Sequence, residues 1–180
     1  MSINNNFLIA SLLLSVFFFN SCEKDKEPSN EEPSNYFSYD GENYVLNQGF
    51  IEEFGENEDG SYDFDIVLVS PTIQYIPSDA ELSGIGDIVY LDLNTSSANG
   101  LVSGSYNFSS ERGEFTFVDG GIFIKGDVST EEAEIEAEIV GGKINVLVVD
   151  DITTLDFDLT TRTNKNVKGR FQGTLTPFEF

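Results

Sequence analysis

Strict two-residue alternation of apolar and polar side chains, broken by short Gly, Asn and Asp clusters, is the feature that most limits what this chain can fold into. Tyr62-Asp63-Phe64-Asp65-Ile66 alternates and then runs on into Val67-Leu68-Val69. Such a segment predicts a strand that starts at a wet edge and passes into a core. The stretch at 131–140 makes the same point against its own composition. Its Glu and Ala residues favour helix, yet Ala133, Ile135, Ala137 and Ile139 alternate with Glu132, Glu134, Glu136 and Glu138. A helix would scatter the apolar residues around its axis and set like charges at i and i+4. A strand gives one apolar and one acidic face, so strand is predicted.

The same pattern recurs along most of the chain. Asp40-Gly41 between two β-forming runs predicts a hairpin, and Asp119-Gly120-Gly121 between Phe115-Thr116-Phe117-Val118 and Ile122-Phe123-Ile124-Lys125 predicts a second. Gly141-Gly142 is expected to turn the acidic strand into a strand over 143–149. Residues 71–86, with Pro71, Pro77, Gly84 and Gly86 as breakers, form a long connection. Its Ile73, Tyr75, Ile76 and Leu82 should pack against the body, and its length makes it a candidate binding loop. The fold class expected is all-β, a single antiparallel β-sandwich or barrel of about ten strands over residues 36–180.

Residues 7–22, FLIASLLLSVFFFNSC, stand outside this pattern. The apolar run fits the core of a secretory signal peptide and falls short of the roughly 20 residues of a membrane span. It ends at the only cysteine of the chain, Cys22. Phe19-Asn20-Ser21-Cys22 resembles the lipobox of bacterial lipoproteins, and Glu23-Lys24-Asp25-Lys26-Glu27 is similar to the Lys and acidic stretch that follows the cysteine in lipoproteins of the Bacteroidetes type. The β-rich body is similar to the uncharacterised domains of that group. The resemblance implies a signal peptide over 1–21, lipidation of Cys22, and an outer-membrane address, facing the cell surface or the periplasm. Residues 22–35 carry a repeated Glu-Pro-Ser-Asn and no apolar residue beyond Cys22 and the prolines. They read as a flexible acidic tether.

Charge and composition then narrow the function classes. With 32 Asp and Glu against 9 Lys and Arg the chain carries a net charge of −23, which repels nucleic-acid phosphates. Cationic or neutral partners remain, such as an envelope protein or an extracellular glycan, together with divalent metals. No histidine is present, which removes Ser-His-Asp and Cys-His nucleophile systems, His-ligated zinc and a histidine base. Acidic outward strand faces exclude a lipid-facing barrel.

For calcium, aligning Gly60 with the invariant glycine of an EF-hand loop places Asn57, Asp59 and Asp63 at ligand positions. Gly55 and Ile66 occupy the first and last positions, so the loop is not an EF-hand. Asn57, Asp59 and Asp63 are left as a weaker calcium candidate, against an ordinary Asn/Asp/Gly turn. Asp150-Asp151 at the end of an apolar run is the candidate carboxylate pair for a glycoside hydrolase. The expected function is a non-enzymatic binding, adhesion or scaffold role at the outer membrane. The alternatives are a lipocalin-like barrel for a small apolar ligand and a carboxylate-based glycoside hydrolase.

Overall fold

The structure, a computed structural model, describes residues 34–178. The apolar leader, Cys22 and nearly all of the tether lie outside the described residues. The body is all-β. Eleven strands form one curled, mixed sheet, and a separate two-stranded hairpin lies beside it. In chain order the strands are β1 (Tyr36–Tyr39), β2 (Glu42–Val45), β3 (Gln48–Glu56), β4 (Tyr62–Val69), β5 (Gln74–Ile76), β6 (Glu81–Ser83), β7 (Ile85–Thr95), β8 (Gly104–Phe108), β9 (Thr116–Asp127), β10 (Ile135–Val149), β11 (Ile152–Thr161), β12 (Asn166–Gly173) and β13 (Leu175–Pro177). Across the sheet the order is β13-β3-β4-β7-β9-β8-β10-β11-β12-β1-β2.

The architecture is a half-barrel, neither the expected sandwich nor a clean barrel. Pairing is not wholly antiparallel either, because β8 lies parallel to β9 and β13 parallel to β3. The second follows from the path of the chain. After Gly173 the chain leaves β12 and joins the opposite end of the sheet as β13, so the two ends approach without a turn between them. Gly49 sits at that approach, where a Cβ would lie 2.6 Å from Leu175 and 2.9 Å from Phe171.

Alternation sorts the strands into two faces. Ile66 and Leu68 of β4, Val89, Leu91 and Leu93 of β7, and Phe37, Tyr106, Phe117, Ile144, Phe157 and Phe171 meet in one continuous core inside the curl. The opposite face of the same strands carries a second, smaller core of Phe50, Val67, Val69, Ile73 and Phe178. The long 71–86 connection covers it. It folds into the β5–β6 hairpin, buries Ile73, and packs Tyr75 and Leu82 on that core. Tyr75, Phe50 and Phe178 stack edge to face or tilted, with ring centroids 5.5–5.6 Å apart. Packing of this connection, as its apolar residues predict, is what the structure contains.

Two glycine pairs behave differently from the turns expected of them. Asp40-Gly41 does turn β1 into β2, with φ of 54° and 87° at the two residues. Asp119-Gly120-Gly121 and Gly141-Gly142 instead lie inside the long strands β9 and β10. Gly120 passes so close to β7 that a Cβ would lie 3.0 Å from the Tyr90 carbonyl. Gly142, at φ 110°, lets β10 shift register between Ile139 and Gly141 and slide from β9 onto β8. Glycine serves bulges and close approaches as well as turns, and tertiary pairing decides between them.

A Cβ on Gly142 would lie 2.3 Å from the Asp158 carbonyl oxygen, whereas none of the surroundings of Gly100 comes within 4 Å. Gly142→Ala should therefore lower stability by about 2–4 kcal/mol in urea denaturation, against about 1 kcal/mol for Gly100→Ala, where only the positive φ is at stake.

Candidate functional site

The polar end of the outer face is built by strand register. Glu52 of β3 pairs with Asp65 of β4, Asp65 with Asp92 of β7, and Asp92 with Asp119 of β9. Four acidic residues thus stand in one row across four adjacent strands, where like charges directly opposite one another destabilise a sheet. One row further along, Asp63 pairs with Asn94. Carboxylate oxygens of Asp63, Asp65 and Asp92 all lie within 4.8 Å of one another. Asp63 is 9% exposed and Asp92 6%. The same alternation that drives Phe64, Ile66, Leu91 and Leu93 inward puts these acids together on the other side.

One guanidinium answers them. Arg112 lies on the loop between β8 and β9, and that loop is fastened to β7 where the Phe115 amide donates to the Asn94 carbonyl at 2.8 Å. From there Arg112 donates through Nη1 and Nη2 to the two oxygens of Asp92, both at 3.0 Å. Its Nη1 also lies 2.6 Å from Asp63 Oδ2 and donates to Asn94 Oδ1 at 3.1 Å. This fork geometry is the strong form of the Arg–carboxylate pair. Asp65 has no such partner and instead accepts a 2.9 Å bond from the Tyr90 hydroxyl.

Two buried atoms are left over, Asp63 Oδ1 and Asn94 Nδ2, neither with a hydrogen-bond partner. Burial pushes the Asp65 carboxyl up to about 6, the Tyr90 bond opposing and the charges of Asp63 and Glu52 adding to it. Burial likewise raises Asp92 to about 7, against the opposing pull of its bond from Arg112 and with the charge of Asp63 adding. Tyr90 is raised as well, by burial and then by the Asp65 charge.

Of the calcium candidates, only Asp63 belongs to this cluster. Asp59 Oδ1 accepts from the Ser61 amide at 3.1 Å and its hydroxyl at 2.7 Å, which holds its carboxyl below the ordinary range. Asn57 donates to Ser61 Oγ at 3.0 Å and Asn94 Oδ1 at 2.8 Å. Both side chains therefore shape the turn around Gly60. Asp150 and Asp151 form the exposed β10–β11 turn, beside a shallow groove with Asn99, Gly100 and Thr153. A larger open groove of about 1020 Å³ runs along β3, past Glu52, Glu53, Phe54, Tyr75 and Phe178. Asp63, Asp65 and Asp92 line neither groove.

Sequence reasoning misses Asp65, Asp92, Asn94 and Arg112 as a site. The available signal was acids flanked by inward apolar residues on two strands, Phe64-Asp65-Ile66 and Leu91-Asp92-Leu93. Compared with family models, curated proteins and solved structures, the chain matches none of them.

Between the ordinary carboxylate value near 4 and about 7, the folded chain holds protons on Asp65 and Asp92 that the unfolded chain has released. Stability from these two groups is therefore present at low pH and lost as pH rises through the window. Urea midpoints should be higher at pH 5.5 than at pH 8, and an Asp65→Asn/Asp92→Asn variant should show a flatter profile. Replacing Arg112 by Met leaves Asp63 and Asp92 facing each other and should destabilise by about 2–3 kcal/mol at pH 8, discounted for the partial exposure of the guanidinium. The same substitution should cost less at pH 5.5, where Asp92 holds a proton.

Proposed function

We propose that this chain is a lipid-anchored protein of the cell envelope, in which Cys22 carries the lipid, residues 22–35 act as a tether, and the β domain performs a non-enzymatic binding or scaffold role at the outer membrane. The observation that carries the reading is the position of the only cysteine, at the end of a 16-residue apolar-to-small stretch over residues 7–22. A thiol there can take a diacylglyceryl group, and several acyl chains together anchor stably where one is marginal.

Features of the β domain support binding on its outside. Phe37, Tyr106, Phe117 and Phe171 are essentially fully buried and fill the inside of the curl, which argues against a ligand held there in the manner of a lipocalin. Asp63 and Asp92 are buried and paired with Arg112, and with Asp65 they line no groove, which argues against a glycoside hydrolase built on them. The groove along β3 combines Phe54, Tyr75 and Phe178 with Glu52 and Glu53. That lining suits a neutral or cationic partner.

Proteolysis of intact cells, read by mass spectrometry of the released peptides and by membrane fractionation, tests the anchor. The wild-type chain should fractionate with membranes, and a surface-facing domain should be shaved. Cys22→Ala should be released or held as precursor; unchanged fractionation of that variant would refute the anchor.

A further inference from the structure

We propose that Asp63, Asp65 and Asp92 form a binding site for a divalent cation of the calcium class, which the Arg112 guanidinium occupies when the ion is absent. The cluster offers oxygen donors alone, which suits a hard cation. Its three carboxylates come within 4.8 Å of one another, close enough to converge on one ion. Asn94 Oδ1 accepts from both Arg112 at 3.1 Å and Asn57 at 2.8 Å, and departure of the guanidinium leaves one lone pair of this neutral oxygen for the ion. Water would complete the six to eight ligands that calcium takes.

Proximity of acids alone would not carry this. The second observation is Asp63 Oδ1: while Oδ2 of the same carboxylate pairs with Arg112, Oδ1 is buried without a hydrogen-bond partner, in a residue only 9% exposed. A buried charged oxygen left unpaired costs free energy, and a cation shared with Asp65 and Asp92 removes that cost. Charge points the same way. Three carboxylates face one guanidinium, and Asp119 and Glu52 flank them in register. Asp65 is bonded by a neutral hydroxyl, Tyr90, and not by Arg112.

Arg112 is placed to act as a displaceable occupant. Its side chain is 39% exposed while the Asp92 side chain beneath it is only 8% exposed. It reaches the acids from a loop and not from the sheet, so it can swing outward while β4 and β7 keep the carboxylates in place. The Asn57, Asp59, Asp63 turn described above contributes only Asp63. The cation site does not depend on lipidation of Cys22, so the two readings stand or fall separately.

The test is calcium titration of the purified full-length protein in detergent, by isothermal titration calorimetry, with magnesium as comparison. Wild type should bind one calcium saturably, with a dissociation constant in the range of about 0.1–1 mM typical of extracellular modules. Asp65→Asn removes a ligand without touching the Arg112 pairs and should weaken binding at least tenfold. Arg112→Gln removes the competing cation and should tighten it about tenfold, with far-UV circular dichroism confirming that each variant is folded. Absence of saturable binding in the wild type overturns the site, even if Arg112→Gln binds. Equal binding by wild type and Asp65→Asn also overturns it, since the ion would then sit among surface acids. Equal affinity in a folded Arg112→Gln overturns the displacement.

Discussion

Burial of one apolar face inside a single curled sheet is the constraint on which everything else depends. Strands β4 and β7 lie near one end of the sheet order and send Ile66, Leu68, Val89, Leu91 and Leu93 into the curl. Period two then leaves no choice about the residues between them. Val67 and Val69 are covered by the β5–β6 hairpin and Phe178, while Asp63, Asp65 and Asp92 are pressed together at the other end of that outer face. A slip of register by one residue would relieve the acids only by exposing the core, which costs far more.

Arg112 makes that arrangement tolerable. Its loop is tied to Asn94 through Phe115, so the guanidinium is delivered to the acids by the same β7 that carries Asp92. The remaining salt bridges of the domain are of another kind. Among the described residues these are Lys125–Glu134, Arg162–Glu138, Lys165–Asp40, Lys168–Asp158 and Arg170–Asp156, all between exposed partners, and each contributes little. They also show what became of the acidic residues of 131–140, where Glu134, just before β10, meets Lys125 of β9 and Glu138 of β10 meets Arg162, the residue after β11.

Much of this fold is legible in the residues themselves. The alternation over 62–69 marks β4, Asp40-Gly41 marks the first hairpin, and the Glu/Ala alternation marks strand against helix propensity, with Ala137 and Ile139 buried. Local pattern fails where one motif has two structural uses. Asp119-Gly120-Gly121 and Gly141-Gly142 carry turn chemistry but sit inside strands, because the curl needs bulges and close approaches there. Parallel pairing of β8 and β13 has no local signature at all. The acid cluster was half visible. Tyr62-Asp63-Phe64-Asp65 suggests a wet strand edge, yet Asp63 is buried, since its neighbours Asp92 and Asn94 come from 29 and 31 residues away in β7 and Arg112 from a loop whose residues 109–114 show no periodicity.

A double-mutant cycle on Arg112→Met and Asp92→Leu measures the central interaction most directly. Urea unfolding of the wild type, both single variants and the double variant at pH 8 gives the coupling free energy. If Arg112 is what allows the acids to be buried, coupling should reach about 2 kcal/mol, with the double variant more stable than Arg112→Met alone. Additivity to within about 0.5 kcal/mol would contradict it. The pair would then be an ordinary surface contact, and the buried acids would owe their tolerance to something other than Arg112.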